Sequence, residues 1–450
     1  MRSVRFATYV LIGALLVAYQ PARAQAPPTT ATDPVIARIV SRISAQRLRA
    51  TDERLVAFGT RSTFSENLGR ARGVFAARAW IRDQLLEAAR RSGGRMTVTY
   101  DTYVQKANAG RVPRDVEISS VIATLKGDDP DGRTYIISSH YDSRNSSNED
   151  AVKDAPGADD NGSGTSCVIE AARALADVPV HATVIFATFD SEEQGLFGSA
   201  HFAQTLKDAG VNVEGDLNND IIGASVGMNG ESNPNVIRIF SEALPQGADV
   251  ARINAVGNEN DSPSRELARF AKEAGDAYAA PMQANLIWRA DRFLRGGDHL
   301  SFNARGFPAI RFVEPVENFN HQHQDVRVEG GVQFGDLLQF MDFNYLERAS
   351  KYNVAALASL ALGPGRPKTP VIVTRNLTND TTLQWSAAPR AASYEVVRRL
   401  TTDATWTFAS NVGNVTEVTV PFSKDNWLFG IRALDAQGHR GVVAFPSPMR

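Results

Sequence analysis

The run HATVIFATFDSEEQGLFGSAHFAQTLK, His181 to Lys207, decides the fold. A β-branched and aromatic stretch from Thr183 to Phe189 reads as a buried strand. It stops at the acids Asp190, Glu192 and Glu193, and from Leu196 onward apolar residues recur at helical spacing. A strand, an acidic turn and a helix in that order are one repeat of an α/β domain. Working outward, "DVEISSVIATL", "TYIISSHYDS", "NNDIIGASVG" and "PAIRFVEP" are further short apolar runs, read as strands. "GTSCVIEAARAL" lies between two of them and reads as a helix, as do the segments around 35–49, 71–92 and 336–362. This alternation predicts a mostly parallel mixed sheet sandwiched by helices.

After "LGPGRPKTP", residues 362–370, helical spacing ends. Alternating runs take over in "TTLQW", "SYEVVRR", "TWTFAS", "TEVTV" and "WLFGIRALD", separated by turn residues. They predict a small all-β sandwich over residues 366–450. Trp385, Tyr394 and "WLFGIRALDAQGHRG" resemble a fibronectin type III domain, although Trp427 stands where that family usually has Tyr. The expected partner of this domain is a polymer, the cell surface or the preceding α/β domain, with a plain spacer as the alternative.

The chain begins with Arg2 and Arg5, an apolar run from about residue 7 to 19, and Ala22-Arg23-Ala24. That layout predicts a signal peptide over 1–24, hence a secreted or periplasmic protein. No later segment is long and apolar enough to span a membrane. With 450 residues, 43% hydrophobic, and a net charge of -2, nothing points to nucleic acid or an anionic membrane. The single cysteine, Cys167, excludes an intrachain disulfide and is expected to pack within its helix.

In "APGADDNGSG", residues 155–164, Asp159, Asn161, Ser163, Gly164 and Glu170 fit a calcium-loop pattern. Such a loop needs a helix running into it, and Pro156 and Gly157 precede Asp159 instead. Functional groups in α/β sheets collect beyond the carboxyl ends of strands. His140 and Asp142, Glu192 and Glu193, Asp220, and the histidines of "NFNHQHQD" all occupy such places.

The series "SSHYDS", "PGADDNGSG", "FDSEEQGLFGS", "NNDIIG", "GGDHLSFNARGFPAI" and "NHQHQD" resembles the co-catalytic di-zinc exopeptidase family that includes bacterial leucyl aminopeptidase and glutamate carboxypeptidase II. The resemblance runs from about residue 116 to 362, within a catalytic domain drawn at 25–365. It implies two zinc ions per chain, with His140 and Asp220 on one, Glu193 and His321 on the other, and Asp159 bridging. Asp160 would help begin the helix. Glu192 matches the family's general base, and Asp142 would accept the other ring N–H of His140. Asp298 and His299 match a pair near the site. His323 rivals His321, which is preferred for its spacing to Asp325. The Tyr that some relatives place shortly before the Asp-His pair is missing, leaving Arg295 as the candidate for the oxyanion.

The resemblance thus implies a zinc-dependent aminopeptidase acting on peptides or proteins. A carboxypeptidase or other amidohydrolase with the same zinc site is the nearest alternative. A non-catalytic binding protein is a more distant one, since such relatives lose ligands. The catalytic domain is expected to work without the sandwich unless the two pack together at the cleft.

Overall fold

The computed structural model describes residues 32–449 except 109 and 376, so the expected signal peptide lies outside the described residues. The chain opens with helices α1 (Pro34–Ser41), α2 (Ala45–Val56) and α3 (Val74–Arg90), where the 35–49 segment had predicted a single helix. Asp33 caps α1 and Ser44 caps α2, each accepting from the first turn, so the break falls where the second cap stands.

There follow β1 (Met96–Gln105), β2 (Val116–Leu125), β3 (Thr134–His140), α4 (Gly164–Leu175), β4 (Thr183–Phe189), α5 (Phe197–Asp208) and β5 (Val213–Asn219). The domain continues with β6 (Val236–Ser241), α6 (Val250–Val256), α7 (Pro263–Tyr278), β7 (Gln283–Ile287), α8 (His299–Asn303) and β8 (Ala309–Val313). A small hairpin, β9 (Arg327–Glu329) and β10 (Val332–Phe334), precedes the long α9 (Phe343–Leu362).

The eight strands form one sheet in the order β1-β2-β4-β3-β5-β8-β6-β7. Its centre, β4-β3-β5-β8, is parallel, and β2, β6 and β7 run opposite to it while β1 runs with it. One face carries the large core, where α4, α7 and α9 contribute Val168, Leu267 and Leu357. The other face packs Phe202 of α5 and Phe302 of α8 against Phe189. Burial on both faces explains the near-continuous apolar runs of β3 and β4.

β5 departs from the sequence reading. The strand is "VEGDLNN", and the apolar "IIG" taken for strand lies past its end. Buried hydrogen bonds make the polar strand affordable: Ser138 Oγ donates to Asp216 at 2.8 Å, and the Asn218 amide donates to Ser138 Oγ at 3.1 Å.

The remaining chain is a two-sheet sandwich. One sheet holds β11 (Lys368–Val373), β12 (Thr381–Ser386), β15 (Glu417–Val420) and β17 (Ser447–Met449), and the other β13 (Ser393–Leu400), β14 (Phe408–Gly413) and β16 (Trp427–Leu434). Its core centres on Leu383, Trp385, Tyr394 and Ile431, with the Trp385 and Tyr394 rings 5.3 Å apart. Trp427 packs edge-on to Phe408 and Phe422.

This sandwich is fastened to α7. Arg399 Nη2 lies 2.6 Å from Asp261 Oδ1, with both side chains fully buried, and Trp406 Nε1 donates to Glu266 at 2.8 Å. Arg269 Nε donates to the carbonyl of Ala404, and Arg432 pairs with Glu273. His439 reaches Asp33, at the start of α1, at 2.6 Å.

Candidate metal centre

His140, Glu192, Glu193 and Asp220 stand where a parallel strand ends. β3 delivers His140 as its last residue, and β5 delivers Asp220 immediately after Asn219. After β4 the chain breaks at Ser191, whose φ of +66° is left-handed, and Glu192 and Glu193 follow. This kink removes the alternation that would send neighbouring side chains to opposite faces. The Asp142 carboxylate secures the turn by accepting the backbone N–H groups of Glu192 and Glu193, each at 3.2 Å.

Between Gly157 and α4 the backbone is irregular, with Asp160 at φ -107°, ψ 92° and Asn161 at φ -129°, ψ 56°. Consecutive aspartates therefore aim differently. Asp160 Oδ1 lies 3.1 Å from His140 Nε2, and its Oδ2 lies 2.9 Å from His323 Nε2. His140 Nε2 is also 3.7 Å from Asp220 Oδ1, and His323 Nε2 is 3.1 Å from Glu193 Oε2. Two groups of donor atoms result, each within 4.8 Å of one another: His140, Glu192 and Asp220, and Asp160, Glu193 and His323.

Two expectations are corrected here. Asp159 does not face the cluster: its Oδ1 accepts the N–H of Gly223 at 2.8 Å, and its carboxyl pairs with Glu314. Asp160 takes the place between the two histidines that had been given to Asp159. His321 lies with its ring stacked on Phe340, centroids 3.5 Å apart. His323 reaches the cluster instead, turned inward by a left-handed φ of +52°. The spacing to Asp325 misled, because Asp325 is engaged with the Ser146 hydroxyl at 2.7 Å.

Burial and charge set the protonation of these groups. Burial alone would lower the His140 imidazole, yet Glu192 and the carboxylates of Asp142, Asp160 and Asp220 hold it well above its ordinary value. Burial would raise Asp160, but the two imidazoles keep it well below. Glu192 is raised well above the usual carboxylate range, by burial first, then by Asp220, Glu193 and Asp298, with His140 opposing. His323, although buried, is pushed up to about 10 by Glu193 and Asp160.

The donor set fits divalent metal. Among the described residues Glu193 Oε1 is buried with no hydrogen-bond partner, and four carboxylates converge on two imidazoles. Imidazole nitrogen and carboxylate oxygen without thiolate suit catalytic zinc. Second contacts orient the donors. His140 Nδ1 lies 3.1 Å from the Asp142 carbonyl oxygen and 3.4 Å from its carboxylate.

Two arginines that the sequence reading missed complete the surroundings. Arg144 Nε donates to Glu193 Oε2 at 2.9 Å, and its Nη2 is 2.6 Å from His323 Nδ1. Arg311 is fully buried on β8, 3.0 Å from Asp220 Oδ2 and 2.9 Å from Asp291. A charged residue inside the apolar run "PAIRFVEP" was the available signal, since buried arginine is rare unless paired.

Asp298 and His299 are buried beside the site. Asp298 is pushed up to about 7, chiefly by burial, and His299 Nε2 lies 2.8 Å from the carbonyl oxygen of Ala290. Arg295 belongs to neither group of donors and pairs with Glu317 at 2.9 Å. A cavity beside Asp160 is lined by Asp159, Glu314, Glu317 and Asp336 together with Ile221, His321, Phe340 and Met341.

Residues 120–328 match the peptidase family M28. A probable zinc metalloprotease of Leptosphaeria maculans is 46% identical over 418 residues, covering 92% of this chain and 97% of that one. Another, of Pyricularia oryzae, is 44% identical, covering 90% and 83%. Among solved structures, the LapA aminopeptidase of Legionella pneumophila aligns with a TM-score of 0.53 at 18% identity, over 74% of this chain and 77% of that one. The aminopeptidase of Aneurinibacillus sp. strain AM-1 aligns at 0.50 and 16% identity, over 73% and 96%. These two share the mixed α/β fold. Relatives so similar over nearly their whole length place the chain in peptidase family M28, as a hydrolase of the zinc metallopeptidase type.

Proposed function

We propose that this protein is an exported exopeptidase with two zinc ions, removing residues from the amino termini of peptides. The observation that carries the reading is Asp160, whose two carboxylate oxygens address His140 on one side and His323 on the other, at 3.1 and 2.9 Å. His140, Asp220 and one oxygen of Asp160 would hold the first ion, and Glu193, His323 and the other oxygen the second. The ions would supply Lewis acidity, polarising the scissile carbonyl and acidifying water.

Glu192 stands within the same cluster, and burial first, then the neighbouring carboxylates, raises it well above the usual carboxylate range, which suits a group that takes up and releases a proton. It accepts the proton of the water that adds to the carbonyl carbon, then delivers it to the departing amine as the C–N bond breaks. Asp142 keeps Glu192 in place through its backbone N–H and orients His140. Arg311 and Arg144 fix the carboxylates of Asp220 and Glu193.

The cavity beside Asp160 favours the amino terminus. Asp159, Glu314, Glu317 and Asp336 line it, and no lysine or arginine does. Glu317 is already paired with Arg292 and Arg295, and the remaining carboxyl oxygens can accept the hydrogens of an ammonium group. We further propose export through residues 1–24, a catalytic domain over 25–365 and a fibronectin type III-like domain over 366–450. Its docking on α7 supports a partner within the same chain.

Mass spectrometry of products from a mixed peptide library tests the reading, with Glu192→Gln as control. Stepwise loss from amino termini is expected, with the variant retaining zinc while turnover falls by about 10²- to 10⁴-fold. Loss from carboxyl termini would overturn the substrate assignment, and a variant with near wild-type turnover would overturn the role of Glu192.

A further inference from the structure

Phe293 and Leu294 stand side by side in the loop between β7 and α8, 73% and 93% exposed. Leu294 also has a φ of +57°, a conformation that asparagine or glycine adopts with less strain. A large apolar residue there gains neither burial nor backbone ease within this chain. Phe319, 52% exposed, stands in the loop after β8.

The two loops are tied together at Glu317. Arg292 Nη1 and Arg295 Nη1 both reach its Oε2, at 3.1 and 2.9 Å, and the Arg295 guanidinium lies 5.9 Å from the centre of the Phe319 ring. Met228, half-exposed, joins from a third loop, its N–H donating to the Glu317 carbonyl. Glu317 and Asn318 line the cavity that Asp160 also lines, so Phe319 follows directly on the cavity wall. Exposed apolar groups gathered at the edge of a polar site mark a binding surface.

We propose that Phe293, Leu294 and Phe319, with Met228 at their border, form a rim that binds the peptide beyond the residue being removed, and that the enzyme therefore selects peptides with apolar side chains there. The inference rests on the aminopeptidase reading above. With the amino terminus in the acidic cavity, the remainder of the peptide leaves across this rim. Its apolar side chains then cover surface that is otherwise wet.

The test compares kcat/KM of the zinc-loaded full chain on three substrates: an amino-acid anilide, a pentapeptide with Leu or Phe at its second to fourth positions, and the same peptide with Gly and Ser there. The wild type should prefer the apolar pentapeptide to its polar counterpart. Leu294→Asn and Phe319→Ser should each lower kcat/KM on the apolar pentapeptide about tenfold more than on the anilide, mainly through KM. Leu294→Asn, which suits the left-handed backbone, should do so without lowering Tm.

Equal losses on all three substrates, or no preference in the wild type, would overturn the rim while leaving the aminopeptidase reading intact. Failure to cleave the anilide and both peptides would overturn that reading and the rim with it. If sedimentation shows a wild-type dimer that Phe319→Ser dissociates, the surface belongs to a second copy of the chain and the proposal fails.

Discussion

Replacing Arg399 by Met should destabilise the whole chain far more than loss of a surface charge would. Arg399 Nη2 is the near partner of Asp261 Oδ1 at 2.6 Å, both side chains being fully buried. Among the described residues Asp261 Oδ2 has no hydrogen-bond partner, and the other cation on Oδ1 is Arg269 at the longer distance of 3.3 Å. Stranding a buried carboxylate in this way costs about 3–5 kcal/mol. Because Arg269 remains, the lower end, about 3 kcal/mol, is expected. The contact of Arg399 Nη1 with the Asp403 carbonyl at 2.9 Å is lost as well.

Urea unfolding of Arg399→Met, Asp261→Asn and the double variant measures this. The double variant should be about 2 kcal/mol more stable than the sum of the single effects implies, because removing the charge relieves the stranded partner. A loss under about 1 kcal/mol, the size of an exposed pair, or simple additivity would refute the buried anchor. The same interface revises the expectation of an independent catalytic domain. Removing residues 366–450 would take Arg399, Trp406 and the Ala404 carbonyl from Asp261, Glu266 and Arg269, and Val442 from the large core, so the shortened chain should aggregate or unfold.

Asp160→Ala should weaken both zinc sites together, measured as metal content against a chelator series. Asp159→Asn should retain two ions, because Asp159 is turned toward Gly223 and Glu314; the reverse pattern would restore the original assignment. Likewise His323→Ala should lose one ion and His321→Ala none. His439 is raised, first by its bond to Asp435, with burial opposing and Asp33 assisting. A raised folded pKa contributes stability that is fully present below the unfolded value near 6.5 and is lost as pH rises through the folded one. His439→Asn should therefore lower stability at pH 6 by about 1 kcal/mol, and the loss should shrink as pH rises; a loss independent of pH would refute the tether.

The α/β class, the strands carrying His140 and Glu193, and the sandwich after residue 366 were all legible in hydrophobic periodicity. Such patterns report burial directly, since apolar residues recur with the geometry of the element that buries them. β5 was misplaced because its buried residues Asp216, Asn218 and Asn219 are polar and bond to Ser138 and Asn161 on neighbouring segments, which leaves no apolar signature. The anchoring of the sandwich was equally silent, since Arg399 and Asp261 become partners only when distant segments meet.

By itself the sequence determined which chemical groups reach the site: imidazoles from residues 140 and 321–323, and carboxylates from 159–160, 192–193 and 220. Tertiary structure decided which member of each neighbouring set faces the others. The irregular backbone at Asp160 and Asn161 turned one aspartate toward the histidines and the other away, and the left-handed turn at His323 exchanged it for His321. Local dihedrals of that kind are imposed by contacts from remote parts of the chain, here the Asp336 carboxylate that accepts the N–H groups of Asp159 and Asp160 at 2.8 Å. Spacing along the sequence carries no record of them.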